Sequence, residues 1–297
     1  MKIAIIGTNG FLSTTIAKYA LKKGWQINMY GLEEPKSHAY TNFYSINLTK
    51  ESIDDLQLFK NDMVLYAVGA GIQSNLTEPA NLVYLLNVMV PIRICNMLQD
   101  NNFSGVFVTF GSYFELGETT LSKPATESDI ITAISPASTD YILSKRMLTR
   151  FISSYKHKYV HWHFILPTIY GVGENPKRII PYTINAIKNN ECLCFTSGEQ
   201  IRQYLYVEEV AQYVNEAYVN NLPSGIYNIA SNVILSIQQL VGIICDQMNY
   251  KLDSNVFGRE NKSDTSMHYL ALDGTKLSQM IGYKSIITLN DALSKYT

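Results

Sequence analysis

The chain has 297 residues, of which 46% are apolar, and it carries 24 basic and 25 acidic side chains. This length and apolar content suffice for one large or two small domains with buried cores. The balanced charge gives no basic surplus of the kind that nucleic-acid binding requires. No apolar run reaches about 18 residues, and no charged segment with a long apolar stretch precedes the first predicted strand. We therefore expect a cytoplasmic protein with no nucleic-acid partner and no membrane partner.

The first predicted unit is a strand, a glycine turn and a helix at residues 2–23. Residues 3–6 are apolar, as is typical of a buried parallel strand, and residues 14–23 carry their apolar side chains at helical spacing. Gly7 permits a tight turn, and Gly10 keeps side-chain bulk away from the start of the helix. Because the free N–H groups at a helix N-terminus bind phosphate, the segment predicts a dinucleotide cradle.

Strands and helices alternate through the following residues. The predicted strands are residues 26–30, 43–46, 62–68, 105–110 and 159–166, and the long predicted helices are residues 81–98 and 136–155. This order predicts an α/β fold, a Rossmann-like doubly wound parallel sheet with right-handed crossovers. The ligand crevice of such a sheet lies at the carboxyl ends of its strands.

The alternation loosens after residue 167. Residues 170–200 are richer in Gly, Pro, Asn and Lys. We expect residues 1–167 to form the dinucleotide-binding domain and residues 168–297 to form mainly a smaller, C-terminal substrate-binding lobe. Two segments of strand character, 203–207 and 225–230, are expected to return to the main sheet.

One acid–base pair stands out in the helix after the fifth strand of the sheet. Tyr141 and Lys145 are four residues apart, so they share a helix face one turn apart. The ammonium group is expected to lower the pKa of the phenol and so allow proton exchange at a carbinol carbon. Ser112 follows the preceding strand and lies at its carboxyl end, which brings a hydroxyl group to the same edge.

Metal binding is not predicted. His157, His161 and His163 cluster around a predicted strand, but no carboxylate or cysteine stands at ligand spacing from them. The four cysteines form no C-x-x-C pair and are too sparse for a disulfide scaffold. They are expected to be reduced thiols.

An ordered set of motifs extends over nearly the whole chain. In chain order these motifs are GTNGFLS, VLYAVGAG, Asn87-Val88, FVTFGSYFELG, SPASTDYILSK, PTIYGVGE, GEQIRQYLYVEEVA and IYNIAS. The set resembles the extended short-chain dehydrogenase/reductase family, the NAD-dependent epimerases and dehydratases that act on nucleotide sugars. The resemblance implies a nucleotide-sugar substrate, NADP or NAD as cofactor, and a homodimer that pairs through the two long helices. Residues Leu82, Leu85, Leu86, Leu143 and Met147 agree with that pairing, since they exceed what one sheet face can cover.

The resemblance also implies roles for individual residues. Ser112 would hydrogen-bond the sugar oxygen, Tyr141 would exchange its proton, and Lys145 would hold the nicotinamide ribose. The implied cofactor contacts are Gly7, Asn9, Gly10, Phe11, Leu12, Gly31, Asn47, Leu48, Ala67, Val68, Gly69, Tyr141 and Lys145. The implied substrate contacts are Ser112, Thr168, Arg178 and Arg202, and a guanidinium suits a diphosphate because it offers a fixed fork of donors.

Two departures from the family pattern bear on cofactor and reaction. Gly31 stands where the family usually has an acid for the adenosine ribose, which removes the repulsion against a 2′-phosphate. With Lys36 and His38 in the next loop, NADP becomes at least as favourable as NAD. The family's sugar 4,6-dehydratases have an Asp-Glu pair after the catalytic hydroxyl, whereas this chain has Tyr113 and Phe114. Neither side chain can carry out the acid–base elimination of water.

These residues predict an NAD(P)-dependent reductase of an NDP-4-keto-6-deoxyhexose, with Tyr141 as the proton donor. A nucleotide-sugar 4-epimerase with tightly bound NAD uses the same three catalytic residues and is the alternative. A non-catalytic nucleotide-binding relative is disfavoured, because Ser112, Tyr141 and Lys145 are all present. The nucleotide, the sugar and the product stereochemistry stay open at this point.

Overall fold

A computed structural model describes residues 1–53, 56–72, 78–258 and 267–296. Its strands are β1 (Lys2–Ile6), β2 (Gln26–Gly31), β3 (Asn42–Ser45), β4 (Met63–Tyr66), β5 (Val106–Ser112), β6 (Val160–Leu166), β7 (Thr168–Tyr170), β8 (Ile201–Tyr206), β9 (Gly225–Asn228), β10 (Ile234–Ser236) and β11 (Tyr269–Leu270). Its helices are α1 (Phe11–Lys22), α2 (Ala80–Tyr84), α3 (Val90–Asp100), α4 (Glu127–Ile131), α5 (Asp140–Ser154), α6 (Ile179–Lys188), α7 (Val207–Val219), α8 (Ile237–Gln247), α9 (Thr275–Ile281) and α10 (Leu289–Leu293).

The main sheet has seven strands in the order β3-β2-β1-β4-β5-β6-β9, and every neighbouring pair is parallel. The chain builds outward from β1 on one side and from β4 on the other. The switch point therefore lies between β1 and β4, which is where doubly wound sheets bind their ligands. The predicted Rossmann-like α/β class is confirmed.

Helices cover both faces of this sheet. On one face α1, α7 and α9 pack against alternate strand residues such as Ile5 and Leu65. On the other face α3 packs against Ile6 and Val64. Strands β1, β4 and β5 are buried on both faces of the sheet, as parallel strands in such folds are. Their sequences are therefore nearly continuous apolar runs.

A smaller sheet is built around β8, which pairs with β7, β10 and β11. The expected return of segment 203–207 to the main sheet is therefore wrong, because β8 finds its partners within the C-terminal half. The expectation for segment 225–230 holds, since β9 pairs with β6. Helices α6, α8 and α10 pack together beside the small sheet and form the apolar core of this region.

A π-helical turn, Leu85–Met89, joins α2 and α3 into one helix over Ala80–Asp100. Within the described ranges it is the one helix whose length and apolar composition suit a membrane span. Half of its 18-residue apolar stretch is buried in the fold. Its buried residues, including Ile94 and Leu98, pack on the main sheet, as those of a core helix do.

Candidate functional site

The glycine turn after β1 has the geometry of a dinucleotide cradle. Gly7 has a φ of +109°, and an added Cβ would lie 3.2 Å from Val68 Cγ2 and 3.3 Å from the Ala67 carbonyl oxygen. A side chain here would be strained and crowded. Gly10 is the N-cap of α1, and among the described residues no side chain caps this end. The first N–H groups of α1, from Phe11 and Leu12 onward, are thus available to a pyrophosphate.

The Asn9 side chain joins this turn to the loop after β2. Its Oδ1 accepts the Lys36 backbone N–H at 3.0 Å, and its Nδ2 donates to the Glu34 carbonyl at 3.2 Å. Asn9 thereby fixes the loop after β2 beside the glycine turn. That loop carries exposed Glu33 and Glu34 as well as Lys36 and His38, so its charge is mixed rather than basic.

Gly31 ends β2 and is packed against Thr8. An added Cβ would lie 2.6 Å from Thr8 Cγ2 and 2.7 Å from Thr8 Oγ1. The Thr8 side chain thus occupies the space that any side chain at position 31 would enter. An acid at position 31 therefore requires the Thr8 side chain to shift or to be replaced by a smaller residue.

The loops after β3 and β4 form the remaining walls of the proposed cofactor site. Asn47 Oδ1 accepts bonds from Thr49 N at 3.1 Å and from Thr49 Oγ1 at 2.7 Å, which closes a tight turn after β3. Leu48 packs on the apolar core beneath it. After β4, residues Ala67, Val68 and Gly69 follow directly at the switch point.

Asn87 clamps the loop after β4 to the helix that carries the catalytic pair. Its Oδ1 accepts the Ala70 N–H, and its Nδ2 donates to the Ala70 carbonyl and to Ser144 Oγ, all at 2.9 Å. The side chain is 1% exposed. In the sequence Asn87 was only part of a motif, whereas the fold shows that it joins the loop after β4 to α5.

Ser112 ends β5 and caps the short 3-10 turn Tyr113–Leu116. Its Oγ accepts the Phe114 N–H at 3.3 Å, and its own N–H donates to Glu115 Oε1 at 2.8 Å. This is a reciprocal capping box. The two bonds hold the Ser112 hydroxyl at the carboxyl end of the central strand.

Tyr141 and Lys145 lie one turn apart in α5, and both side chains are buried. Lys145 Nζ donates to the Phe110 carbonyl at 2.8 Å and lies 5.9 Å from the centroid of the Tyr141 ring. Burial raises the pKa of Tyr141 to about 12, and a hydrogen bond with Ser112 offsets only part of this rise. The expected lowering of the Tyr141 pKa is therefore wrong here, because lost hydration outweighs the hydrogen bond with Ser112 and the charge of Arg178. At neutral pH the phenol is protonated, which is the form a proton donor needs.

Glu115 is a fully buried carboxylate that the sequence motifs did not single out. It fits because Gly111 has no side chain, since an added Cβ there would lie 2.6 Å from Glu115 Oε1. Burial raises the pKa of Glu115, and the cations of Lys145 and Arg146 lower it. Burial lowers the pKa of Lys145, and Glu115 raises it. Glu115 therefore supports the cationic form of Lys145 from inside the fold. The signal in the sequence was the Ser-x-x-Glu spacing of a capping box.

Tyr113 and Phe114 are fixed by packing. Tyr113 is fully buried, its hydroxyl lies 2.5 Å from Thr168 Oγ1, and the Phe114 ring meets its edge with centroids 4.9 Å apart. Burial raises the pKa of the Tyr113 phenol. Thr168, expected to face a substrate, is thus bonded to Tyr113.

Two arginines lie beside this part of the crevice. Arg178 is the N-cap residue of α6, and its Nε forms an ion pair with Glu174 Oε2 at 3.2 Å. Arg202 lies in β8, where its Nη1 donates to the Ile201 carbonyl at 2.8 Å. Both guanidinium groups lower the pKa of Tyr113, and Arg178 also lowers that of Tyr141. Arg178 therefore lies near both Tyr113 and Tyr141, and Arg202 lies near Tyr113.

Comparison with known proteins identifies the class. Residues 3–230 match the model of the NAD dependent epimerase/dehydratase family. The chain belongs to this family. The dTDP-glucose 4,6-dehydratase of Escherichia coli is 29% identical over 181 residues, which are 55% of this chain and 48% of that protein. The match thus spans about half of that relative. The CDP-abequose synthase of Yersinia pseudotuberculosis is 23% identical over 77% of this chain and 76% of its own length.

Solved structures show the same fold. The UDP-glucose 4-epimerase of Thermotoga maritima, determined with UDP-glucose, has a TM-score of 0.80 at 16% identity, covering 99% of this chain and 97% of its own. The Streptomyces venezuelae dTDP-glucose 4,6-dehydratase DesIV, determined with NAD, has a TM-score of 0.83 at 15% identity, covering 99% and 95%. At such identities the likeness extends to the fold alone.

Proposed function

We propose that this protein is an NAD(P)-dependent 4-ketoreductase of a nucleotide-linked 4-keto-6-deoxyhexose. The observation that carries the proposal is the pairing of a complete Ser112, Tyr141 and Lys145 set with the absence of the dehydratase acids at Tyr113 and Phe114. Those two side chains are packed, and neither provides a carboxyl group. The site therefore supports a hydride and proton transfer, and positions 113 and 114 provide no acid–base pair for eliminating water.

Reduction of a ketone adds one hydride to the carbonyl carbon and one proton to its oxygen. A bound nicotinamide dinucleotide supplies the hydride. The Tyr141 phenol, protonated at neutral pH, donates the proton to the oxygen of sugar C4, and the Ser112 hydroxyl hydrogen-bonds the same oxygen. The cationic Lys145 stabilises the phenolate that is left until a proton from solvent restores it.

The crevice also suits the rest of both ligands. The open end of α1 and the glycines of the turn would hold the cofactor pyrophosphate, and Gly31 leaves the adenosine ribose free of a facing acid. Arg178 and Arg202 would bind the diphosphate of the sugar nucleotide, for which a planar fork of donors is suited.

We further propose that the protein is a homodimer. Leu143 and Met147 lie on the outer face of α5 and are 41% and 51% exposed, and Met89 on the neighbouring helix is 45% exposed. These side chains form an apolar face on two adjacent helices, which fits pairing of the two helices with those of a second copy.

Nucleotide-sugar 4-epimerization is the second candidate. It is favoured by a catalytic set that serves both reactions. In that case the hydride taken from C4 returns to the other face, so the cofactor is not consumed.

Steady-state consumption of cofactor separates the two candidates. Purified protein is mixed with a dTDP- or CDP-linked 4-keto-6-deoxyhexose and a molar excess of NADPH or NADH, and the reduced cofactor is followed by absorbance. The proposal expects oxidation of one cofactor per sugar and a product with two additional hydrogens by mass spectrometry. Conversion of a UDP-hexose to its 4-epimer without net cofactor oxidation, and no reaction of the keto sugars, would overturn it.

A further inference from the structure

A second cluster of reactive side chains lies at the amino-terminal end of β6, away from the catalytic edge of the sheet. Cys95 belongs to α3, His157 to the loop before β6, and His161 to β6. One ligand atom from each lies within 4.8 Å of those of the other two. Cys95 is more than 60 residues before His157 in the sequence, so spacing along the chain did not indicate that it lies near these histidines.

The histidines of this cluster have unpaired nitrogens. Both ring nitrogens of His157 and Nδ1 of His161 are buried without a hydrogen-bond partner among the described residues. His161 is 2% exposed, so its Nδ1 is not solvated at the surface. Leaving a buried polar group unpaired costs about 1–3 kcal/mol, and native proteins pair nearly all such groups. The unpaired nitrogens therefore indicate a ligand.

A chain of hydrogen bonds lies on the far side of the His161 ring. Thr109 Oγ1 lies 2.9 Å from His161 Nε2 and 2.8 Å from His163 Nδ1, and His163 Nε2 lies 2.9 Å from Thr149 Oγ1. Thr109 has one hydroxyl proton, so it can donate to His163 Nδ1 while it accepts from His161 Nε2–H, and this arrangement satisfies both bonds. The Nδ1 of His161 is left as a free lone pair, the form that binds a metal ion.

We propose that Cys95, His157 and His161 bind a Zn²⁺ ion as one thiolate and two neutral imidazoles, with water as the fourth ligand. Cysteine sulfur and histidine nitrogen are the donors that zinc prefers, and three protein ligands with one open position are a common zinc arrangement. The hydroxyl of Thr109 behind His161 supplies the outer hydrogen bond that ligating histidines usually have.

The geometry requires only a small adjustment. Tetrahedral bonds of about 2.0–2.3 Å place the ligand atoms roughly 3.3–3.8 Å apart. The ring of His157 makes no hydrogen bond in the described structure, but it packs against the rings of Tyr155 and Tyr159, with centroids 4.8 and 5.0 Å away. A small shift within this stack closes the difference. A cavity of about 430 Å³, lined by His157, His161, Lys156 and Ser224, gives the ion and its water a route in. Binding releases the Cys95 thiol proton to solvent.

Cobalt titration of chelator-treated protein tests the site directly. Co²⁺ is expected to bind at one equivalent and to give a thiolate-to-cobalt band in the near ultraviolet together with the intense visible bands of a tetrahedral site. Zn²⁺ is expected to displace the cobalt and to raise the melting temperature of the wild-type protein. The absence of the thiolate band in the wild-type protein would overturn the proposal.

Variants assign the ligands. Cys95→Ser is expected to abolish the thiolate band, and Thr109→Val and His157→Gln are each expected to weaken Co²⁺ binding at least tenfold. Cys192→Ser and His268→Gln change an exposed thiol and an exposed imidazole outside the cluster and are expected to match the wild type. A thiolate band that persists in Cys95→Ser would contradict the assignment.

Because Cys95 is buried, its replacement can disturb folding, and circular dichroism of each variant checks this. His157 is only partly buried and makes no hydrogen bond in the described structure, so His157→Gln carries the test independently. Unchanged cobalt affinity in a folded His157→Gln protein would overturn the site.

Discussion

Replacing Glu115 with glutamine tests how a buried carboxylate supports the catalytic pair. The charge of Glu115 raises the pKa of both Lys145 and Tyr141, and its Oε1 accepts the Ser112 N–H at 2.8 Å. Glutamine keeps the size and the acceptor oxygen for Ser112 N–H, removes the charge, and replaces the second oxygen with an NH2 group. A neighbouring charge within about 4–6 Å shifts a pKa by roughly 1–3 units, equivalent to about 1.4–4 kcal/mol. We expect the pKa values of Lys145 and Tyr141 to fall by amounts on this scale.

The sign of the effect on activity follows from the role of each group. Burial already lowers the pKa of Lys145, so the cation is lost as the pH rises. Removal of the Glu115 charge moves that loss to lower pH, and it lets Tyr141 ionise earlier as well. The alkaline limb of the kcat/KM profile should therefore move to lower pH by roughly 1–3 units in Glu115→Gln.

The assay is the initial rate of cofactor oxidation from about pH 6 to about pH 10, at subsaturating sugar nucleotide. Glu118→Gln removes an exposed acid three residues away and serves as the matched control, with an expected profile like that of the wild type. Superimposable alkaline limbs for Glu115→Gln and the wild type, or a shift to higher pH, would refute this reasoning.

Three further predictions concern the donor, the cofactor and the assembly. Tyr141→Phe should lower turnover by a factor on the order of 100 or more while cofactor binding, measured by calorimetry, stays near that of the wild type; turnover near wild type would remove Tyr141 from the mechanism. Wild-type protein should bind NADPH no worse than NADH, and the double variant Thr8→Gly with Gly31→Asp should shift this preference toward NADH by about 1–3 kcal/mol relative to Thr8→Gly alone. A tenfold tighter binding of NADH by the wild type would contradict the NADP assignment. Sedimentation should show a dimer at micromolar concentration, and Met147→Glu should dissociate it. A monomeric wild-type protein would contradict this prediction.

The sequence predicted the main sheet well because its strands are continuous apolar runs and its turns contain glycines. Periodicity located β1, β5 and β6 closely, and it separated them from the long amphipathic helices between them. The start of α5 was predicted at residue 136, four residues before the observed start at Asp140. The boundary is set by the Thr139 side chain, which accepts the Ile142 N–H and caps the helix.

Pairing between distant segments was harder to predict. The strand character of β8 was visible, but the choice between the two sheets depends on β7, β10 and β11, which are only two or three residues long. Short strands carry too little pattern to indicate their partners. The segment was therefore assigned to the wrong sheet.

The electrostatics of the site also depended on burial that the sequence does not show. Spacing placed Tyr141 next to Lys145 and suggested a lowered phenol pKa, whereas burial of the phenol reverses the direction. Likewise, Glu115 was only one residue of the motif at the end of β5 in the sequence. Its burial next to Gly111 could not be predicted, because it depends on how the sheet packs. The convergence of Cys95 on His157 depends on two crossovers and has no local signature.

The most direct test of the proposed reaction is transfer of deuterium from the cofactor to the sugar. The protein is incubated with an NDP-4-keto-6-deoxyhexose and NADPH or NADH carrying deuterium at nicotinamide C4, on each face in separate reactions, and the product is examined by NMR. For a 4-ketoreductase we predict that the cofactor labelled on one of the two faces gives a product with deuterium at sugar C4 in a single configuration. We also predict that Tyr141→Phe slows the formation of this product. A product without deuterium at C4 from either face, or epimerization of an NDP-hexose with no deuterium incorporated, would contradict the account.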